Sequence, residues 1–394
     1  MLGADSTFAG HLYGQLSSRS GNLFFSPASI HLALAMAYAG ARGDTAAEMQ
    51  RALGVGPQSH AAFADLLRNW EKLAHPDDPY AGRTADSPQM QKYREAELAR
   101  RRIVLNVVNR LWAQSGYPFR DEFLVLLRDQ YRAPIAQVDF HRDPEAEREQ
   151  INKWVSAKTE QKITELIARG IITPDTRLMI TNAVYFKALW TSQFAREQTR
   201  EETFFAEGKR EVRVPLMRQI STFPLATFGG GQLVELPYAY GELVMDVVLP
   251  AERNGLADIE RRFASGALRG WLDALKKARV DLTLPRFKMS SAFELETALG
   301  ALGMRKAFTY READFSGMDG TRELFISAVL HQAVVDVDEY GTEAAAATSI
   351  GVEVATTPPV EAPVIFRADH PFLFLIRDAK SGAILFLGRV VNPQ

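Results

Sequence analysis

GTEAAAATSIGVEVATTPP, residues 341–359, reads as no single kind of secondary structure. Its first half is rich in alanine, the strongest helix former. Its second half runs Ile350, Gly351, Val352, Glu353, Val354, Ala355, an alternation suited to a strand. Pro358 and Pro359 then stop either state from continuing. A segment compatible with two structures raises the question of which one it uses, and when.

The surrounding chain limits the answers. It has 394 residues, 46% hydrophobic and 24% charged, enough apolar material for a large core. The formal net charge of −2 gives no global field to recruit nucleic acid or an acidic membrane. Cysteine is absent, which excludes disulfides, thiolate metal sites and a cysteine nucleophile. No apolar run approaches the roughly 18 residues of a membrane span. The beginning, MLGADSTFAGHLYGQL, has no basic stretch followed by an apolar block and does not read as a signal peptide.

Helices are expected first and strands later. Ser26-Pro27 opens a helix, with proline just inside its start. Ile30, Leu32, Leu34, Met36 and Tyr38 make that helix apolar nearly all round, hence buried. Asp44 or Thr45 is expected to cap the next helix. HPDDPYAGRTADSPQ, from His75, reads as an exposed loop, and MQKYREAELARRR as a charged helix. IVLNVVNRLWAQ reads as a buried strand, residues 152–171 as helix and residues 178–189 as a long strand. VRVPLM, LVELPY, ELVMDVVLP and VDLTLPRF follow as strands. FLFLIRD and AILFLGRVV, joined at Lys380-Ser381-Gly382, read as a closing hairpin. This order argues for an α+β fold, and no linker divides residues 1–394, so one large domain is expected.

Enzymatic signatures are missing. His11, His31, His60, His75, His141, His331 and His370 include no H-E-x-x-H pair. There is no G-x-S-x-G elbow and no phosphate-binding loop. His141-Arg142-Asp143 imitates a kinase catalytic loop without the accompanying motifs. Gly229-Gly230-Gly231 reads as a turn. Asp77 and Asp78 near His75 read as a solvated loop rather than a metal site. The expectation is a protein that is not an enzyme and uses neither cofactor nor metal.

Several separated stretches, taken in order, resemble a serpin over almost the whole chain. They are NLFFSPASIHLALAMAYAGARGDTAAEM, INKWVSAKTEQKI, ITNAVYFKALW, VELPYAYGELVMDVVLP, LPRFKMSSAFELETALGALGMRKAF, ADFSGM, DEYGTEAAAATS, ADHPFLFLIRD and ILFLGRVVNP. Ala188 and Gln161 stand where serpins usually carry glycine. The resemblance implies helices packed around a large central mixed sheet, with smaller sheets and an exposed reactive-centre loop over about residues 341–365. It implies an inhibitory, bacterial-like serpin. In that mechanism a serine protease cleaves the loop and forms an acyl-enzyme, and the freed segment inserts into the sheet as a new strand. The alternative is a non-inhibitory serpin acting as a binding or chaperone-like protein. The resemblance favours a secreted or extracellular location. A monomer is expected, with no nucleic-acid or membrane partner.

Residue by residue, it implies a hinge of Glu339, Gly341, Thr342, Glu343, Ala344, Ala345, Ala346, Ala347 and Thr348. Read as a strand, Thr342, Ala344, Ala346, Thr348, Ile350, Val352 and Val354 share an uncharged face. Glu343, Ala345, Ala347, Ser349, Gly351, Glu353 and Ala355 share the other, expected to be wet. Small hinge side chains argue against the non-inhibitory alternative.

Counted from Gly341 as the family does, the scissile bond falls at Ala355–Thr356, within two residues. Residues 341–365 contain no Lys, Arg, Phe, Tyr or Trp, so trypsin-like and chymotrypsin-like pockets are poorly served. The expected partner is an elastase-like or subtilisin-like protease with a small or aliphatic pocket.

The resemblance further implies a buried polar cluster of Ser26, Ser29, Asn182 and His331 under the sheet, and a loop-insertion region with Trp190 and with Glu339 facing Arg286. Taken singly, each of these is an ordinary cap, core residue or surface pair. Lys92, Arg94, Arg100, Arg101 and Arg102 form a basic cluster where some serpins bind sulfated polysaccharide. Glu95 and Glu97 interrupt it, which favours a plain solvated helix face.

Overall fold

The computed structural model describes residues 2–78, 80, 87–238, 241–342 and 362–394, with residues 2–6 and 100 described by backbone alone. Hinge residues Glu343 to Thr348, the Ala355–Thr356 bond and the Arg100 side chain therefore lie outside the described residues.

Fifteen strands are described: β1 Leu23–Phe25, β2 Val104–Gln114, β3 Ala136–Val138, β4 Leu178–Leu189, β5 Arg200–Ala206, β6 Arg210–Phe228, β7 Gly231–Tyr238, β8 Leu243–Pro250, β9 Lys276–Pro285, β10 Phe287–Glu294, β11 Ile326–Val337, β12 Gly341–Thr342, β13 Val364–Arg367, β14 Phe372–Asp378 and β15 Ile384–Val390. They form two sheets. The central one has six strands in the order β10-β11-β12-β4-β2-β3. The other has nine, along β1-β15-β14-β8-β7-β6-β9-β13, with β5 added on β6. The helices are α1 Leu2–Leu16, α2 Pro27–Gly40, α3 Gly43–Leu53, α4 Ser59–Ala74, α5 Pro88–Arg101, α6 Asp121–Tyr131, α7 Pro144–Lys158, α8 Leu256–Ala264, α9 Leu268–Asp273, α10 Glu296–Ala301 and α11 Ser316–Asp319.

The buried helix α2 positions everything else. The Ser26 hydroxyl accepts from the Ser29 N–H at its start, and Pro27 occupies the first turn. Ile30, Leu32, Leu34 and Met36 are buried in the main core, so this helix backs the central sheet rather than lying at the surface. Strand β4 shows the complementary pattern. Leu178, Ile180, Val184 and Phe186 face the main core, while Met179 and Ala183 face a smaller core under α7 built on Ile151 and Val155. Both faces of β4 are covered, which explains why it is apolar apart from Thr181, Asn182 and Lys187.

Two local expectations are corrected. Helix α7 ends at Lys158, so residues 159–171 are turns rather than helix. Glu160 and Gln161 take left-handed backbone, with φ of 50° and 60°. Asn152 then holds the returning chain, accepting from Leu166 N–H and Ile167 N–H and donating to the Ile167 carbonyl. Neither Asp44 nor Thr45 caps α3. That helix begins earlier, at Gly43, behind Arg42 and with no side-chain cap. Thr45 instead accepts from the Asp314 N–H at 2.9 Å, and Asp44 pairs with Lys306.

Candidate functional site

The central sheet contains one seam between long parallel strands. β4 and β11 pair directly from Leu178 opposite Ile326 to Tyr185 opposite Val334. Beyond that point β12 lies between them, antiparallel to both. Thr342 sits opposite Ala188 on one side and Val337 on the other, and Gly341 opposite Leu189. A Cβ built on Gly341 would fall 2.1 Å from the Ala188 carbonyl oxygen, so only glycine admits this approach.

Thr342 is fully buried. Its hydroxyl shares a 2.7 Å hydrogen bond with the Tyr238 hydroxyl. The Tyr238 ring stacks on Trp190, centroids 4.2 Å apart and 16° from parallel, and meets Phe186 edge-on. Burial pushes the Tyr238 hydroxyl pKa well up, against a smaller opposing effect of Thr342. The Trp190 indole N–H donates to the Asp338 carbonyl at 2.9 Å, and its backbone N–H to the Tyr340 carbonyl at 2.9 Å. Trp190 thus fixes the turn that delivers Gly341 to the seam. Tyr238 is the partner that the sequence reading missed; nothing local marked it apart from its place at the end of LVELPY.

Glu339 is a buried carboxylate, its side chain 1% exposed, whereas its partner Arg286 is 36% exposed. Arg286 Nε lies 2.8 Å from each carboxylate oxygen, and the Thr199 hydroxyl donates to Oε1 at 2.5 Å. Burial raises the carboxyl pKa, but the Arg286 and Thr199 hydrogen bonds outweigh it and hold the group below its ordinary value. This is not an ordinary exposed pair.

Ser26, Ser29, Asn182 and His331 meet under the lower seam. His331 Nε2 accepts from the Ser26 backbone N–H at 3.1 Å, so Nδ1 carries the proton and donates to Asn182 Oδ1. Asn182 Nδ2 donates to Ser29 Oγ at 2.6 Å. His331 is fully buried, and burial depresses its pKa to about 3, so the ring is neutral. The cluster has a further member, Asn109 on β2, which contacts both Asn182 and Ser29. The available signal was weak, because Asn109 is one of two asparagines, with Asn106, in IVLNVVNRLWAQ. Helix α2 and strands β2, β4 and β11 are thereby tied through neutral hydrogen bonds alone.

The basic cluster is dispersed along α5. Arg94 lies over the Tyr80 ring at 5.1 Å, Arg101 approaches the mostly buried Glu97 at 3.4 Å, and Lys92 and Arg102 are exposed. Among the described residues no group of acidic or histidine side chains stands close enough to hold a metal ion, and no helix is long and apolar enough to cross a membrane.

The family described as Serpin (serine protease inhibitor) matches residues 3–393. The leukocyte elastase inhibitor of Bos taurus is 39% identical, over 99% of this chain and 98% of its own length. An uncharacterized serpin-like protein of Thermococcus kodakarensis is 36% identical, over 100% of this chain and 86% of its own length. Among solved structures, maspin superposes with a TM-score of 0.85 at 26% identity, covering 99% of this chain and 98% of its own. An ordered set of motifs, a two-sheet architecture and these likenesses over essentially the full length converge on one assignment: the chain belongs to the serpin family.

Proposed function

We propose that this serpin inhibits a serine protease as a suicide substrate. The supporting observation is the position of β12: the loop's first two residues already lie between β4 and β11, antiparallel to both. The protease serine Oγ attacks the Ala355 carbonyl, the bond to Thr356 N breaks, and the protonated amine of Thr356 leaves. Ala355 remains as an ester on the enzyme.

The β12 register then extends down the seam. Continued antiparallel from Thr342, it sets Ala346 between Val184 and Ala333, Thr348 between Asn182 and His331, and Ile350 opposite Ile180. One parallel ladder is replaced by two antiparallel ones, which are slightly more stable per residue. Thr342, Ala344, Ala346, Thr348, Ile350 and Val352 then face the main core. The opposite face is wet at Glu343, beside Lys187, and again at Glu353, past the Leu178 end of β4; between them Ala345, Ala347, Ser349 and Gly351 pass beneath α7, where small side chains are needed. Each new backbone bond contributes roughly 0.5–1.5 kcal/mol and each buried Ile or Val about 1.5–3 kcal/mol. The total, on the order of 10 kcal/mol, matches the roughly 5–15 kcal/mol that holds a protease folded. Insertion carries the ester past the Leu178 end of β4, roughly 40 Å below Thr342.

Ala355 suits a small or aliphatic pocket, and the elastase-inhibitor relative points to the same class of target. Incubation with pancreatic elastase tests the reading on a denaturing gel. The expected result is a covalent complex and a released C-terminal peptide beginning at Thr356, within two residues. Cleavage without a complex would overturn it and leave the non-inhibitory alternative.

A further inference from the structure

β10 leaves the central sheet at Glu294. There Leu295 N–H donates to the Val329 carbonyl, and the Glu296 carboxylate accepts from Val329 N–H at 2.5 Å. Below Leu330, β11 therefore has no strand neighbour on that side, and the chain turns into the short α10 instead. A cavity of about 690 Å³ opens at this corner. It joins the two faces of the sheet. Phe293 and Leu16 line it from the main-core side, and Leu330 and Leu166 from the side of the smaller core, with Ile171 beside them.

These walls belong to two bodies. On one side α1 packs against α10, the continuation of β10. On the other, Leu166 and Ile171 belong to the return from α7 into β4. Asn152 clamps that return at Leu166 N–H and Ile167 N–H, and Arg148 donates to the Ile167 carbonyl at 3.1 Å. The seam between β4 and β11 separates the two bodies, so the cavity spans it.

Its charged groups are few. Arg19, just past α1, is exposed, and its guanidinium lies over the Phe293 ring at 4.8 Å. Among the described residues that side chain makes one hydrogen bond, to the Ala292 carbonyl at 3.4 Å, and no ion pair. Glu294, the acidic group of the lining, alternates with Phe293 along β10 and so faces the other side of the sheet. A guanidinium held on a ring beside an apolar hollow has donors left over, and its fork matches a carboxylate.

We infer that this cavity binds a small carboxylate with an apolar body, its head on Arg19 and its body between Phe293 and the return from α7. The volume and lining are those of a small-molecule site. A molecule held by both bodies favours the closed sheet over the opened one. Its occupancy therefore opposes loop insertion, by the same factor with which insertion weakens its binding. That consequence rests on the proposed insertion; the site itself does not.

Naphthylacetate is the probe, titrated into the intact protein by calorimetry. Saturable one-to-one binding is expected below millimolar concentration, with a rise in the thermal midpoint. Naphthylacetamide, which lacks the charge, should bind about tenfold more weakly to the same protein, and Arg19→Gln should weaken naphthylacetate about as much. Ala168→Glu, an exposed position on the α7 side of the cavity, places a like charge in the wall and should cost as much again. Lys209→Gln, between β5 and β6, should change nothing. After cleavage of the loop by a protease that is not trapped, affinity should fall about tenfold or more. No saturable binding, equal binding of the amide, or unchanged affinity in both the Arg19 and Ala168 variants would overturn the site. Unchanged affinity in cleaved protein whose thermal midpoint has risen would overturn the link to the seam. If cleavage leaves the midpoint where it was, the proposed insertion fails, and the titrations of intact protein still decide the site.

Discussion

The hydroxyls of Tyr238 and Thr342 meet at 2.7 Å, inside the gap between two strands whose lower halves pair with each other. The proposed hinge is therefore held at Thr342, whose side chain has no access to water. An arginine at this position would place a charge in a site walled by Tyr238, Ala188 and Val337. Thr342→Arg is expected to be cleaved by elastase without forming the covalent complex, raising the stoichiometry of inhibition several-fold or abolishing trapping. The ratio of complex to cleaved product on a gel measures it. Trapping at the wild-type ratio would show that Thr342 does not enter the sheet.

The Glu339–Arg286 pair is asymmetric, and the two halves should not cost the same. Removing Arg286 leaves a buried carboxylate uncompensated; removing Glu339 frees a cation that already sees water. Arg286→Ala should destabilise by about 2–4 kcal/mol and Glu339→Gln by about 1 kcal/mol, read from urea midpoints. The pH dependence follows the lowered carboxyl pKa. The contribution is full above the ordinary glutamate pKa of 4.5 and is lost as pH falls through the lower folded value. Equal costs in the two variants would contradict the burial assigned to Glu339.

Much of this arrangement was legible in the chain. Ser26-Pro27 announced a capped, buried helix, and the mostly apolar stretch of residues 178–189 announced a long strand, though not that both its faces are covered. What was not legible came from long-range geometry. Asn109 and Tyr238 join their clusters through partners 73 and 104 residues away, which no local pattern encodes. The end of α7 was misread because a side chain, Asn152, supplies the hydrogen bonds that a continuing helix would have made. Burial of Glu339 was likewise invisible, since a glutamate that follows Asp336 and Asp338 in an acidic stretch reads as exposed.

Gln161 holds a left-handed backbone at φ 60°, at a position where the serpin resemblance leads glycine to be expected. That conformation costs a side-chain-bearing residue roughly 1–2 kcal/mol, partly offset by the extra freedom glycine has when unfolded. Gln161→Gly is expected to stabilise the protein by about 0.5–1 kcal/mol in equilibrium urea unfolding. A loss of stability would mean that the glutamine side chain makes a contribution larger than the strain.

His331 gives a second pH signature. Its folded pKa of about 3 lies below the ordinary 6.5. The unfolded chain therefore binds a proton that the folded one refuses. Stability is full above pH 6.5 and declines as pH falls toward 3, by at most about 1.4 kcal/mol per unit. Asp246, which burial raises to about 7, acts with the opposite sign over much of the same window. The comparison of wild type with His331→Gln isolates the histidine, because Asp246 contributes to both. The variant should be less stable at pH 7, and the gap should narrow between pH 6.5 and 4.5. A gap independent of pH would show that His331 is not held neutral.

The same histidine tests the proposed insertion register. Extending β12 down the seam brings Thr348 between Asn182 and His331, where a hydroxyl finds hydrogen-bonding partners. An aspartate there would bury a carboxylate against a neutral ring and an amide, with no cation in the cluster to neutralise it. Cleavage of the wild-type loop by a protease that is not trapped should raise the thermal midpoint by tens of degrees as the segment inserts, at several degrees per kcal/mol for small domains and less for a chain of this length. Thr348→Asp should lose most of that rise, while Glu343→Asp, placed at the solvent-facing top beside Lys187, should keep it. Differential scanning calorimetry of the cleaved and uncleaved forms of each protein decides the matter. If the aspartate at 348 gains as much stability on cleavage as threonine does, the segment does not enter in this register.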